Sequence, residues 1–101
     1  MVKKAKMTLP EDQIREICRR HRVRELSLFG SSVRGDSRPD SDVDFLVEFE
    51  PDAEIGFLTL SKMKRELSGI LQRPVDLVPK GGLKAKIRDS VLSEARVIYA
   101  A

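Results

Sequence analysis

The chain has one cysteine, Cys18, and so cannot close an internal disulfide; this suits a reducing compartment, and a cytoplasmic location is the default expectation. It has one histidine, His21, and no Cys/His grouping that offers a zinc site. Long apolar runs are missing too. The longest stretch without a charged residue, Leu26 to Val33, is eight residues, whereas a membrane span takes roughly 18 or more apolar residues. The basic segment Met1–Lys6 is followed by TLPEDQIREICRR rather than an apolar run, so no secretory signal is expected. Neither G-x-x-x-x-G-K-[ST] nor G-x-G-x-x-G occurs, which excludes P-loop and Rossmann readings. Aromatic residues are few. Phe29, Phe45, Phe49, Phe57 and Tyr99 mostly fall in apolar strand or helix patterns and are expected in the core. Stacking on nucleic acid needs exposed aromatics among basic residues, so direct nucleic-acid binding is not expected despite a pI near 9.2.

What is present fits one small globular domain, residues 1–101, with 41% hydrophobic and 35% charged residues. Charge is unevenly spread. Residues 1–35 carry nine Lys/Arg against four Asp/Glu, residues 36–58 one against eight, and residues 59–101 nine against four. An acidic centre between basic flanks suits a site that holds cations, with basic groups nearby for an anion.

The apolar periodicity alternates between helix and strand. TLPE (Thr8–Glu11) has capping-box spacing with Pro10 in the first turn, and a helix to about Arg20 aligns Ile14, Ile17 and Cys18 on one face. Cys18 reads as a small core residue and His21 as a cation at the end of that helix. ELSLF (Glu25–Phe29) reads as a strand, followed by Gly30-Ser31-Ser32, a single helical turn to Arg34, and the loop GDSRPDS. VDFLVEF is a second strand. A second long helix is expected over about Ile55–Ser68, with Phe57, Leu60, Met63, Leu67, Ile70 and Leu71 at helical spacing. PVDLVP is a third strand between prolines. Leu83, Ile87, Val91 and Ala95 mark a last helix, and RVIYA a final strand. The expected fold is α/β (α+β): a small mixed sheet of three to four strands with helices packed on it.

Asp is disfavoured in strands, yet Asp42 and Asp44 stand at the start of the second one. Residues i and i+2 share a face, so the two carboxylates project together while Val43, Phe45 and Val47 point to the core. Such a pair repels unless a cation lies between, and Mg²⁺ prefers hard oxygen ligands shared with substrate phosphates. Asp76 repeats the anomaly in the third strand, between Val75 and Leu77. If that strand lies beside the second, three carboxylates converge as a two-metal site requires. Gly30, Ser31 and Ser32 would present N–H groups and hydroxyls to phosphate, with Arg34 either meeting a phosphate oxygen or pairing with the acidic loop Asp36–Asp40.

Gly30-Ser31, ten residues, then Asp42-x-Asp44 resembles the signature of the DNA polymerase β-type nucleotidyltransferase superfamily. The run GSSVRGDSRPDSDVDFLV is similar to its smallest branch, the minimal nucleotidyltransferases. The resemblance implies that Gly30 and Ser31 hold a nucleoside triphosphate and that Asp42 and Asp44 bind two Mg²⁺ ions. Asp76 would be the third carboxylate, a metal ligand that helps deprotonate the attacking hydroxyl. Unlike larger members, the chain is expected to carry no appended helical domain. Small members of this kind are often paired with a HEPN-domain toxin, which they adenylylate on tyrosine as its antitoxin. That scheme implies ATP as substrate and the toxin as acceptor. A docking antitoxin without catalysis and nucleotidyl transfer to a small molecule are the competing expectations.

Overall fold

A computed structural model of the chain describes residues 9–30 and 42–101. Helix α1 (Glu11–Arg20) leads into strand β1 (Val23–Phe29) and then β2 (Val43–Phe49). Helix α2 (Phe57–Leu71) follows, then β3 (Val75–Pro79), a 3-10 turn (Lys80–Gly82), helix α3 (Ala85–Glu94) and β4 (Arg96–Ala100). The four strands form one mixed sheet in the order β3-β2-β1-β4. Strand β1 is antiparallel to both of its neighbours, and β2 runs parallel to β3 through the α2 crossover. This is the small mixed sheet expected, with β3 beside β2.

The sheet has one greasy face. Leu26 and Leu28 of β1 pair with Val47 and Phe45 of β2, and these with Val43 and Val75 are buried against Ile14, Ile17 and Cys18 of α1 and Met63 and Leu67 of α2. A bulge between Val23 and Glu25 lets Val23 also turn inward. Helix α1 carries Glu11 and Asp12 in its first turn and Arg19 and Arg20 in its last, matching the helix dipole. Its C-cap is His21, and Arg22 (φ +58) turns the chain into β1.

Several expectations move. Strand β1 begins at Val23, two residues before Glu25, because the turn at His21–Arg22 is tight. Pro10 is the N-cap of α1 rather than a first-turn residue, with no side-chain cap bond, and Thr8 lies outside the described residues. Helix α2 starts and ends later than Ile55–Ser68. Phe57 is 80% exposed because α2 reaches the core only from Leu60 and Met63 onward. Helix α3 buries none of its residues and leaves Ile87 48% exposed. It is held at its ends, by buried Leu83 before it and by β4 after it.

Candidate active site

Alternation along β2 puts Asp44, Leu46 and Glu48 on the second face of the sheet, away from the α1/α2 core, where Leu46 and its partner Ser27 are themselves buried. Asp44 is in register with Phe29 of β1 on one side and with Asp76 of β3 on the other. Directly paired residues on neighbouring strands share a face, so the two carboxylates stand side by side, about 4.8 Å apart in backbone spacing. The register is set just upstream, where the Val43 N–H donates to the Pro74 carbonyl at 2.8 Å. Asp42 is the residue immediately before β2; it and Asp76 are exposed, whereas Asp44 is half-buried.

Gly30 closes β1 with φ +73, a backbone region that L side chains rarely adopt. The missing side chain matters a second time. A Cβ built on Gly30 would lie 2.6 Å from Asp44 Oδ2, so the turn and the carboxylate touch only because residue 30 is glycine. Of the expected site residues, the fold therefore brings Gly30, Asp44 and Asp76 together, with Asp42 one step before the strand. Ser31, Ser32 and Arg34 lie outside the described residues, as does the loop GDSRPDS.

The donor set is all carboxylate oxygen, the chemistry that hard divalent cations prefer. It is an open edge rather than a closed cage: among the described residues, no three His, Cys, Asp or Glu side chains come close enough to enclose a metal ion. A cation held here would share its remaining positions with phosphate oxygens or water.

Two features escaped the sequence reading. Phe29, assigned there to the core, is half-buried and sits beside Asp44 on the second face of the sheet. The period-2 rule points the same way, since Leu26 and Leu28 already occupy the core side. Farther along that face Lys80 reaches Glu25 (3.6 Å) and Glu48 (3.8 Å), a cross-strand contact that no sequence spacing announces. His21, by contrast, stands among the helices. Its ring Nε2 meets Glu66 Oε1 at 2.5 Å, and Arg20 donates to Glu66 Oε2 at 2.7 Å. Burial alone would raise the Glu66 pKa, but the hydrogen bonds from His21 and Arg20 outweigh it and hold the carboxyl below its ordinary value.

Residues 11–98 match the nucleotidyltransferase domain family. The chain belongs to that family. It is 42% identical over 85 residues to the protein adenylyltransferase MntA of Thermococcus cleftensis, covering 84% of this chain and 82% of the relative. A solved structure described as a minimal nucleotidyltransferase superposes with a TM-score of 0.72 at 38% identity, over 84% of this chain and 85% of that one. The same fold recurs in a complex of a tri-AMPylated Shewanella oneidensis HEPN toxin with its MNT antitoxin. There the TM-score is 0.66 at 18% identity, over 90% of this chain and 70% of that chain. The chain is thus a nucleotidyltransferase enzyme. Among the described residues no helix is long and apolar enough to cross a membrane.

Proposed function

We propose that this nucleotidyltransferase transfers AMP from ATP to a tyrosine hydroxyl of a partner HEPN toxin and so acts as its antitoxin. One observation carries the reading: Asp44 and Asp76 stand in register on the second face of the sheet, with the Gly30 turn directly against Asp44. This arrangement offers a place for a triphosphate beside a pair of hard-oxygen ligands. The adenylyltransferase relative supplies the reaction class, and the toxin–antitoxin complex of the same fold supplies the class of partner.

In the reaction the acceptor oxygen attacks the α-phosphorus of ATP. A new O–P bond forms, the bond from the α-phosphorus to the α–β bridging oxygen breaks, and pyrophosphate departs with that electron pair. The acceptor proton passes to Asp76, which lies on the edge strand where an incoming hydroxyl has room. Two Mg²⁺ ions, held when bound by Asp42, Asp44 and Asp76, would neutralise developing charge on the phosphate oxygens. Gly30 and Ser31 orient the triphosphate through backbone N–H groups, with Ser32 and Arg34 as further phosphate contacts. Most of the rate comes from this positioning.

The test is incubation with ATP labelled at the α-phosphate, Mg²⁺ and the candidate toxin, alongside Asp42→Ala/Asp44→Ala. Label should move to the toxin with the wild type alone, and to a tyrosine by peptide mapping. A stable complex that protects from the toxin equally well in both proteins, without label, would replace catalysis by docking. Label on a small molecule instead would reassign the acceptor.

A further inference from the structure

Phe29 is the last residue of β1, and its pairing with Asp44 sets it on the second face of the sheet, away from the α1/α2 core. It lies outside the apolar cluster to which Leu26 and Leu28 contribute, and it is half-buried. Strand β4 starts at Arg96, the partner of Leu28, so among the described residues no strand runs beside Phe29 on the flank away from Asp44. Phe29, Asp44 and Asp76 therefore form a row across three adjacent strands, an aromatic ring first and two carboxylates after it. At about 4.8 Å per strand, ring and outer carboxylate are roughly 10 Å apart in backbone spacing.

We propose that Phe29 is the platform on which the base of the donor nucleotide rests, an inference that builds on the nucleotidyl-transfer reading above. The order of the row decides which substrate meets the ring. In an in-line displacement the attacking hydroxyl and the leaving pyrophosphate lie on opposite sides of the α-phosphorus, so the acceptor enters on the flank away from the departing phosphates, and the nucleoside projects sideways from that axis. Gly30 follows Phe29 directly and places the phosphate-holding turn on the β1 flank. Asp76 lies on edge strand β3, the opposite flank, open to an incoming hydroxyl. The ring thus adjoins the Gly30 turn and lies two strands from the acceptor's flank, where a base projecting from the α-phosphate can reach it. A phenyl face accepts any base, because stacking reads the π-surface rather than a hydrogen-bond pattern, so Phe29 contributes affinity for nucleotides over bare polyphosphate.

The experiment uses the full chain with a divalent cation, titrated with ATP and separately with inorganic tripolyphosphate, for the wild type and for Phe29→Leu, Phe29→Met and Phe29→Tyr. Thermal melts report whether each variant is folded. Loss of the ring in Phe29→Leu and Phe29→Met should weaken ATP by roughly 5- to 30-fold while tripolyphosphate changes by less than about two-fold, and Phe29→Tyr should retain ATP. An equal loss for both ligands would overturn the proposal, since Phe29 would then act through the shape of the Gly30 turn. A raised KM for the acceptor protein with ATP binding unchanged would overturn it in favour of an acceptor-side ring, and so would no change in any ligand. If the ring-free variants do not fold, the wild type decides: the Phe29 ring proton resonances should move on adding ATP and stay put with tripolyphosphate, and the absence of that difference overturns the assignment. A wild type that binds no ATP sinks the nucleotidyl-transfer reading itself, an outcome distinct from every variant result.

Discussion

Replacing Gly30 by alanine tests the contact around which the site is organised. Two costs arise. The left-handed backbone at φ +73 disfavours any L side chain by roughly 1–2 kcal/mol. The new Cβ also meets Asp44 Oδ2 at 2.6 Å where ordinary contact begins near 3.4 Å, so a gap of about 0.8 Å must open. The obstructing atom is the end of a side chain, so the carboxylate rotates away from its preferred rotamer at a further cost of about 0.5–1.5 kcal/mol. For a domain of this size each kcal/mol lowers the melting temperature by roughly 4–8 °C, so Gly30→Ala should melt at least about 6 °C below the wild type. Activity should suffer more than stability, because displacing a reacting group by ~1 Å can cost about 100-fold in rate. The decisive control is the same substitution in an Asp44→Ala background. There Oδ2 and Cγ are gone, the nearest remaining Asp44 atom is Cβ at 3.7 Å, and only the backbone cost should survive. A coupling of about 0.5–1.5 kcal/mol between the two sites is therefore expected in the double-mutant cycle of melting data. Equal penalties in both backgrounds would refute the contact. Near-normal transfer by Gly30→Ala, despite the lowered melting temperature, would refute the claim that Asp44 must stay where the glycine lets it stand.

Asp76→Asn removes one of two like charges paired across β2 and β3, so without divalent cation it should melt at or slightly above the wild type while transfer falls by about 100-fold or more; a melting temperature several degrees lower would show that Asp76 is instead a structural partner. Glu66→Gln should loosen the α1–α2 junction by about 1 kcal/mol, read by denaturant titration. Because the folded Glu66 pKa is depressed, that difference should be full above its ordinary value of 4.5 and vanish as pH falls through the lower folded value; a difference that grows on acidification would reverse the assignment. Cys18 is fully buried, and burial pushes its thiol pKa up to about 12. An alkylating reagent at neutral pH should leave it unmodified until denaturant is added, and prompt native labelling would contradict its place in the core. Phe57→Ser and Leu58→Ser, at 80% and 82% exposure, should each alter stability by less than about 0.5 kcal/mol.

Much of this architecture was legible in the residues. The alternation Val43, Phe45, Val47 fixed the core face of β2 and therefore put Asp44 on the other face, and the Asp anomaly in VDLVP marked a second carboxylate strand. That β3 would lie beside β2 in a register pairing Asp44 with Asp76 was not written in either strand. It depends on the length of the α2 crossover and on the Val43–Pro74 bond. Helical spacing marked the helices at Phe57 and Ile87 but not their exposure, because it shows which residues align, not whether another element reaches them. Phe29 was misassigned by composition, an aromatic in an apolar run, where its parity in the strand gave the right face. The Gly30–Asp44 contact could be found only in three dimensions.

The pairing of β2 with β3 also bears on when the site comes into existence. Asp44 and Asp76 are 32 positions apart in sequence (76 less 44), and they meet across a parallel ladder whose two strands are joined by the α2 crossover. Such non-local parallel contacts carry a high loop-closure entropy and lie on the slow side of folding. A chain emerging from the ribosome thus holds its acidic strand and glycine turn long before the second carboxylate arrives. If Asp44 and Asp76 act as proposed, a truncated or half-folded product that lacks β3 also lacks the second carboxylate with which to consume nucleotide.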